Sequence, residues 1–367
     1  MTSPPSRRAT ARDVAAELGV SVKTVSNAYS RPGQLSAGLR ERILATAARV
    51  GYSGPDPVAA GLRRGRVGAV GVAYANRLSY AFDDPVAREL LAGMTSVAES
   101  AGAGLLLLPG SSDPEKRTLA INAAVIDGLL VSSLADDDPL LQAAIARRLP
   151  LVVIDQPRPA SLPPDTPWIG VEDRPAAARV AEHLLRLGHQ RLGVVCFGLR
   201  RAPTRGLVDL AAQQSATYAV SRDRLAGYRD AIEGSGLDWS EVPVFEGTDS
   251  TPEEGEAGAA AVLARSPRPT ALLCLSDRLA EGARRAAGRF RLRVPDDLSI
   301  AGFDDAVPTA AALDLTTVRQ PTRSKGKQAA LALLGLLNGS QPGGPRPPLP
   351  TTLVVRGSTG PAPRPRR

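Results

Sequence analysis

Residues 10–36, TARDVAAELGVSVKTVSNAYSRPGQLS, leave few choices of local structure. Thr10 suits an N-cap, because its hydroxyl can accept from the free amides of a first helical turn. Val14, Ala15 and Leu18 recur at helical spacing as one apolar stripe. Gly19 stands where a left-handed residue closes a helix. Ser21 can cap a second helix, in which Val25 and Ala28 face back toward the first. The opposite face carries Val22, Lys23, Thr24 and Asn27, short or polar side chains able to reach base edges or phosphates. Two helices across a tight glycine turn, one with a polar outer face, are the plan of a helix-turn-helix whose second helix enters the major groove. An ordinary helical hairpin with a solvated face would share the pattern, so the charge distribution decides between them.

The formal charge of the 367-residue chain is +8, and it is unevenly spread. Residues 1–66 hold eleven Arg or Lys against four Asp or Glu, a surplus of +7. The last seven residues, PAPRPRR, add +3, so the 294 residues between carry −2. A basic head on a nearly neutral body suits a polyanion-binding module joined to a module that binds something else. At 43% apolar and 22% charged residues the chain is globular, and its length allows two or three domains. Cys196 and Cys274 lie inside the apolar runs LGVVCFG and ALLCLS and read as buried strand residues. The N-terminus is polar and rich in Pro and Arg, unlike a secretory signal, and no run approaches the ~20 apolar residues of a membrane span. A cytoplasmic location and no membrane partner are expected.

A third helix opens at Ser36 and runs to about residue 50, with Leu39, Ile43, Leu44 and Ala47 on one face, and would close a three-helix head. Residues 53–57, SGPDP, form a linker, and a short helical stretch then ends in Arg63, Arg64 and Arg66. From Val67 the pattern changes. Short apolar runs (VGAVGVAY, GAGLLLLP, DGLLVSS, PLVVID) alternate with helical stretches, and the alternation restarts after a Pro-rich run at 157–167. This is the signature of βαβ units in parallel sheets, here as two similar α/β lobes.

The pattern T-x-x-D-V-A-x-x-x-G-V-S-x-x-T-V-S in residues 10–26 resembles the DNA-binding head of the LacI/GalR family of bacterial repressors, and every fixed position is met. Further along, HLLRLGHQRLGVV, DRLAGYRDAI, SIAGFDD, LTTVRQP and TTLVVRGSTG resemble the effector-binding core of that family, in family order. The resemblance implies an all-α head followed by a periplasmic-binding-protein-like α/β core, with two parallel-sheet lobes, three crossovers near Val171, Gln320 and Leu349, and a ligand cleft between the lobes. The implied boundaries are a head at 1–53, a hinge at 54–66, one lobe at 67–171 and 321–349, the other at 172–320 and 350–360, and a flexible basic tail at 361–367. Open α/β sheets also bind ligands at the carboxyl ends of their strands on topological grounds.

The same resemblance assigns sites. Val22, Lys23 and Asn27 match the positions that read bases. Lys can donate to guanine, Asn can pair bidentately with adenine, and Val can pack on a thymine methyl. Thr10, Ser21, Thr24, Ser26 and Ser30 suit phosphate contacts, which position without specifying. Leu62 matches the leucine that wedges into a minor-groove base step, although the stretch 52–62 is one residue longer than is usual and Gly61 weakens a helix there. In the cleft, Phe82, Asp83, Asp155, Arg224, Asp249, Ser276, Asp304 and Gln320 match ligand-contact positions, with Arg224 and Asp304 able to clamp vicinal hydroxyls. The Asp304–Asp305 pair fits a loop cap equally well. Trp239 lies in a helix–strand connection away from the cleft side and reads as packing, while an aromatic common in the family after VFEG is replaced by Thr248-Asp249-Ser250. The connection at 198–220 is longer than is usual and could cover the cleft.

The implied function is a transcriptional regulator, most simply a repressor, that binds a pseudo-palindromic double-stranded DNA operator under control of a small effector such as a sugar. No leucine heptad follows Gly360, which favours a homodimer over a tetramer. An enzyme on an α/β scaffold is the weaker reading. There are two histidines, His183 and His189, within or just after one helix, and no G-x-S-x-G elbow, metal-ligand cluster or P-loop. No catalytic residues, metal or cofactor are expected. A transporter's solute-binding protein would share the body but not the basic head.

Overall fold

The computed structural model describes residues 9–55, 65–74, 79–108, 110, 113–158, 162–306, 309–341 and 346–364. The chain divides into two compact units, residues 1–68 and 69–367.

Among its described residues the first unit is a head of three α-helices: α1 (Ala11–Leu18), α2 (Val22–Ser30) and α3 (Ala37–Val50). Its ends follow from local chemistry. Thr10 and Asp13 form a capping box, in which the Thr10 amide and hydroxyl both donate to Asp13 Oδ2 at 2.8 Å. Gly19 takes φ +66° and turns the chain between α1 and α2. Ser21 Oγ accepts from the Thr24 amide at 3.0 Å, and Ser36 Oγ accepts from Leu39. Val14, Ala15, Val25, Ala28, Ile43, Ala47 and Tyr52 make the core. Tyr52 meets Tyr29 edge-on, with ring centroids 5.8 Å apart.

Among the described residues the second unit contains two five-stranded sheets and a two-stranded one. The first is wholly parallel, in the order β2-β1-β3-β4-β5, from β1 (Ala69–Tyr74), β2 (Gly104–Leu108), β3 (Gly128–Ser132), β4 (Leu151–Ile154) and β5 (Trp168–Ile169). Four helices lie between its strands: α4 (Tyr80–Asp83), α5 (Pro85–Ala101), α6 (Pro114–Ala123) and α7 (Pro139–Ala146). β3 is buried along its whole length, as expected of a strand covered on both faces.

The chain then enters α8 (Asp173–Arg186) and builds the second sheet, ordered β10-β9-β6-β8-β7. Its strands are β6 (Leu192–Cys196), β7 (Gly206–Leu207), β8 (Val244–Glu246), β9 (Ala271–Cys274) and β10 (Ser299–Ala301), with only β7 antiparallel to its neighbour. Helices α9 (Leu210–Gln214), α10 (Ala219–Gly234), α11 (Pro252–Leu263), α12 (Asp277–Arg289) and α13 (Thr309–Ala312) belong to this lobe. Cys196 and Cys274 are free and buried in β6 and β9, as the apolar runs implied.

Two later segments cross between the sheets. After β11 (Thr317–Arg319) the chain forms α14 (Thr322–Leu337), which packs on α5, β3 and β4 of the first lobe. Gly93 and Gly326 let α5 and α14 touch backbone to backbone: a Cβ on Gly326 would collide with the Leu90 carbonyl, and one on Gly93 with that of Arg323. Leu349 bridges to Val171, and β12 (Thr352–Val354) then returns to pair with β11. The parallel sheets sit as the alternating pattern required, and each has a strand-order reversal beside its first strand, where an α/β sheet opens a crevice at the strands' carboxyl ends.

Both histidines serve the second lobe's packing. His189 Nδ1 lies 2.9 Å from Thr270 Oγ1 and its Nε2 3.0 Å from Ser299 Oγ. His183 Nε2 lies 2.9 Å from Thr359 Oγ1. Burial pushes the pKa of each below the usual imidazole value. No described helix is long and apolar enough to cross a membrane. Among the described residues no group of three or more His, Cys, Asp or Glu is placed to hold a metal ion.

Candidate nucleic-acid interface and ligand cleft

In the head, burying Val25 and Ala28 turns the rest of α2 outward. Val22 is 44% exposed, unusual for a valine, and Lys23 is exposed beside it. Asn27 is half-buried, and its Nδ2 donates to Gln34 Oε1 at 3.3 Å. Gln34, in the short 3-10 turn Pro32–Gln34, escaped the sequence reading and orients the Asn27 amide. The Thr24 hydroxyl lies 2.8 Å from Ser21 Oγ, and Ser30 Oγ donates to the Ser26 carbonyl at 3.0 Å. Thr10 and Ser21 are exposed. Leu62 lies outside the described residues.

In the second unit, strand ends and crossovers converge on a buried polar network. Arg224 in α10 donates through Nε to Asp173 Oδ1 at 2.8 Å and through Nη1 to the Leu275 carbonyl at 2.5 Å. Nη1 also lies 3.4 Å from Asp304 Oδ1, and the guanidinium stacks 3.6 Å over the Phe303 ring. Gln320 Nε2 donates to Asp304 Oδ1 at 2.6 Å. Lys325 Nζ donates to Gln320 Oε1 at 2.6 Å and to Asp155 Oδ2 at 2.5 Å. A continuous chain of charge-assisted bonds thus runs from Asp155, after β4, through Lys325 and Gln320 to Asp304, after β10. It unites four expected residues (Asp155, Arg224, Asp304 and Gln320) with two that sequence reasoning missed, Asp173 and Lys325.

Lys325 was legible in principle. It lies on one stripe of α14 with Ala329 and Leu333, both fully buried, so a charge there had to find partners inside. Asp305, beside Asp304, faces elsewhere and pairs with Arg319 at 2.6 Å and Arg356 at 2.7 Å.

A second cluster faces across the lobes. Asp84 caps α5 by accepting from the Ala87 amide at 2.8 Å, and it accepts from the Tyr80 hydroxyl at 3.0 Å. Arg278 of α12 approaches Asp84 Oδ2 at 3.5 Å from the other lobe and lies 5.8 Å from the Tyr80 ring centroid. Ser276 Oγ caps α12 and lies 2.7 Å from Ser250 Oγ, next to Asp249. Burial raises the Asp249 carboxyl above its usual pKa. Ser276 and Asp249 are thus brought together at this cluster. Phe82 and Asp83 do not join the cluster: Phe82 is 57% exposed and Asp83 is exposed. The one-turn helix α4 rotates them outward and presents Tyr80 and Asp84 in their place.

Two buried polar atoms in this region have no partner among the described residues, the Tyr74 hydroxyl at the carboxyl end of β1 and Asp155 Oδ1. Such atoms carry the full cost of desolvation until a ligand or water meets them.

Burial outweighs the attraction of Arg224 and Lys325 at Asp304, whose carboxyl is pushed up from 3.8 to about 7. Between those values the folded protein holds a proton that the unfolded chain has released. Its contribution to stability is therefore greatest at low pH and falls as pH rises to about 7, levelling above. In urea unfolding, wild type should lose stability relative to Asp304→Asn between about pH 4 and about pH 7. A difference independent of pH would contradict the shift.

The connection at 198–220 is anchored rather than loose. The buried Glu246 accepts from the Leu199 amide at 2.7 Å and from the Thr204 amide at 2.9 Å. The connection also touches the first lobe, where the Asp136 amide donates to the Thr217 carbonyl at 2.8 Å. Two ion pairs just beyond it add to this contact, Arg222–Asp136 at 3.0 Å and Arg158–Asp223 at 2.6 Å. Trp239 is buried in the second lobe's core, as its placement outside the cleft suggested.

Known proteins share this architecture. A model of the periplasmic binding protein-like domain matches residues 181–359. The chain is 43% identical over 336 residues to the HTH-type transcriptional regulator Rv3575c of Mycobacterium tuberculosis, covering 91% of this chain and 92% of the relative. The crystal structure of a LacI-family transcriptional regulator from Corynebacterium glutamicum superposes with a TM-score of 0.72 at 34% identity, covering 97% of this chain and 100% of that one. The chain belongs to the LacI family of transcriptional regulators. The lac repressor dimer bound to operator and the anti-inducer ONPF is similar across the head and both lobes, with a TM-score of 0.76 at 26% identity over 96% of this chain and all of that one. The LacI-family regulator described here therefore carries its DNA-binding head and its ligand-binding core in the expected order, and its relatives are regulators rather than enzymes.

Proposed function

We propose that this LacI-family regulator acts in the cytoplasm as a homodimeric repressor of a pseudo-palindromic operator, released or recruited by a small uncharged polyhydroxylated ligand held between the lobes. Val22, Lys23 and Asn27 read bases; Thr10, Ser21, Thr24, Ser26 and Ser30 hold phosphates; Leu62 supplies a minor-groove wedge within a hinge at 54–66. The lobes are 67–171 with 321–349, and 172–320 with 350–360, ahead of a basic tail at 361–367.

The observation that carries the ligand class is the balance of charge in the cleft. Asp84, Asp155, Asp173, Asp249 and Asp304 outnumber Arg224, Arg278 and Lys325, and each of the three cations is already engaged by a carboxylate. A ligand entering that field is favoured if it donates hydrogen bonds and carries no negative charge. Hydroxyl donors would satisfy Asp155 Oδ1, and a hydroxyl acceptor the Tyr74 hydroxyl. The sugar class follows from these donors and acceptors.

A thermal-shift screen of neutral sugars and polyols against their acid and phosphate counterparts tests this, since a ligand that binds only the folded state raises the melting temperature. Uncharged polyhydroxyl compounds should stabilise the protein, and Asp249→Asn should weaken them about tenfold, the loss of one charge-assisted hydrogen bond. If every ligand weakened by Asp249→Asn proved to be an anion, the assignment would fail.

A further inference from the structure

Outside the cleft, on the far face of α10, lies a cavity of about 290 Å³ lined by Gln213, Gln214, Arg222, Leu225, Arg229 and Trp239 among others. One wall is α9, which belongs to the long 198–220 connection. That wall is held in place: Trp239 Nε1 donates to Gln213 Oε1 at 3.0 Å, and Gln213 Nε2 reaches the Val208 carbonyl at 3.4 Å. Trp239 itself is buried, so the cavity has a fixed floor.

Its cations differ in their partners. Arg174 makes a two-pronged pair with Asp230, at 2.6 and 2.9 Å. Arg222 is shared among Asp136 of the first lobe, Asp223 and the Ala216 carbonyl. Arg229 is half-buried and has neither ion pair nor hydrogen bond among the described residues. A guanidinium removed from part of its water and given no acceptor is an unfilled donor set, and its planar fork matches an oxyanion. Arg222, Ala226 and Arg229 follow one another at i, i+4 and i+7 on α10, so Arg222 and Arg229 address the same space across a small residue. Leu225 and Ala226 offer an apolar surface to a carbon skeleton, and the volume suits a molecule of monosaccharide size.

We propose that this cavity is a second ligand site, distinct from the interlobe cleft, which takes a small phosphorylated metabolite: Arg229 grips the phosphate, Arg222 assists, and the amide of Gln214 meets the remaining polar groups. Arg222 is also a strut between the lobes, through its pair with Asp136. A phosphate that draws Arg222 away from Asp136 loosens one of the contacts that hold the lobes in this arrangement. The site is thereby coupled to the equilibrium that the cleft ligand biases. Binding at the cavity stands on its own; only the coupling rests on the regulatory reading above.

The test is calorimetric titration of the full chain with inorganic phosphate and with a hexose phosphate at constant ionic strength, using wild type, Arg229→Gln, Arg229→Lys and the cleft variant Asp249→Asn. Wild type and Asp249→Asn should bind the hexose phosphate equally, and inorganic phosphate more weakly. Arg229→Gln should lose about tenfold or more, and Arg229→Lys, which keeps the charge without the fork and controls for folding, should fall between. Absence of binding by wild type would overturn the proposal. So would binding that Asp249→Asn removes and Arg229→Gln leaves intact, which would place the phosphate in the cleft. Wild-type binding that leaves the affinity for the cleft ligand unchanged would overturn the coupling alone.

Discussion

Replacing Arg224 with alanine is expected to cost about 3–5 kcal/mol of stability, because it strands buried carboxylates and not only because it removes a ligand contact. Asp173 is almost wholly buried, and burial already raises its pKa against the pull of Arg224. Removing the guanidinium leaves Asp173 and Asp304 facing each other's field without a cation between them, and leaves the Leu275 carbonyl without its donor. The Phe303 ring loses its stacked partner as well. Arg224→Lys keeps the charge, but a single ammonium cannot meet Asp173, Asp304 and Leu275 in the geometry of the fork, so its loss should be intermediate. Urea unfolding of the two variants checks this. Stability within about 0.5 kcal/mol of wild type for Arg224→Ala would show that the network does not hold the second lobe. The practical consequence is that loss of effector response in this alanine variant would not identify a ligand contact, whereas Asp249 and Arg278 are less deeply committed to the fold and can be tested separately.

Lys23→Ala and Asn27→Ala should each cost about 1–3 kcal/mol of operator affinity and relax base preference at a different position. The exposed outer face of α2 carries this expectation: Val22 and Lys23 are open, and Asn27 is steered by Gln34. Thr24→Ala should weaken all sequences alike, since Thr24 is proposed to hold a phosphate and its hydroxyl also meets the Ser21 cap at the start of the helix. Binding-site selection with the three variants and wild type reads all of this at once. An unchanged preferred sequence for both Lys23→Ala and Asn27→Ala would remove α2 from the major groove.

Much of the molecule was legible because its periodicities are strong. The head could be read to within a residue at its turns, since Gly19, Ser21, Ser36 and Gly51 each do one local job that few other residues can do. The alternation of apolar runs and helices gave both sheets, and the bridges at Val171 with Leu349 and the turn at Gln320 fall at the three crossings that resemblance implied. What was missed depends on long-range or very short-range structure. Phe82 and Asp83 differ from Tyr80 and Asp84 only by the rotation of a four-residue helix, which no periodicity in so short a segment can specify. Asp173 matters because Arg224, 51 residues later, reaches it, a pairing that chain order does not display. Lys325 is legible only as a charge on the apolar stripe of Ala329 and Leu333, and its partners Asp155 and Gln320 are set by the fold. The 198–220 connection looked like a lid, and its anchoring by Glu246 required a buried carboxylate at the end of a strand to be read as a backbone acceptor.

The central claim is that occupancy of the interlobe cleft changes the affinity of the head for DNA. The similar lac repressor dimer is itself bound to operator and the anti-inducer ONPF. The most direct measurement takes the operator found by selection and the ligand found by thermal shift, and compares operator affinity of the 367-residue chain with the ligand absent and saturating, in wild type and in Asp249→Asn. A coupling of about 1–3 kcal/mol, or roughly 5–150-fold in affinity, is expected for wild type. Asp249→Asn should show the same shift only at about tenfold higher ligand concentration. An operator affinity that does not change at saturating ligand would contradict the account, because a ligand that binds both arrangements equally shifts neither.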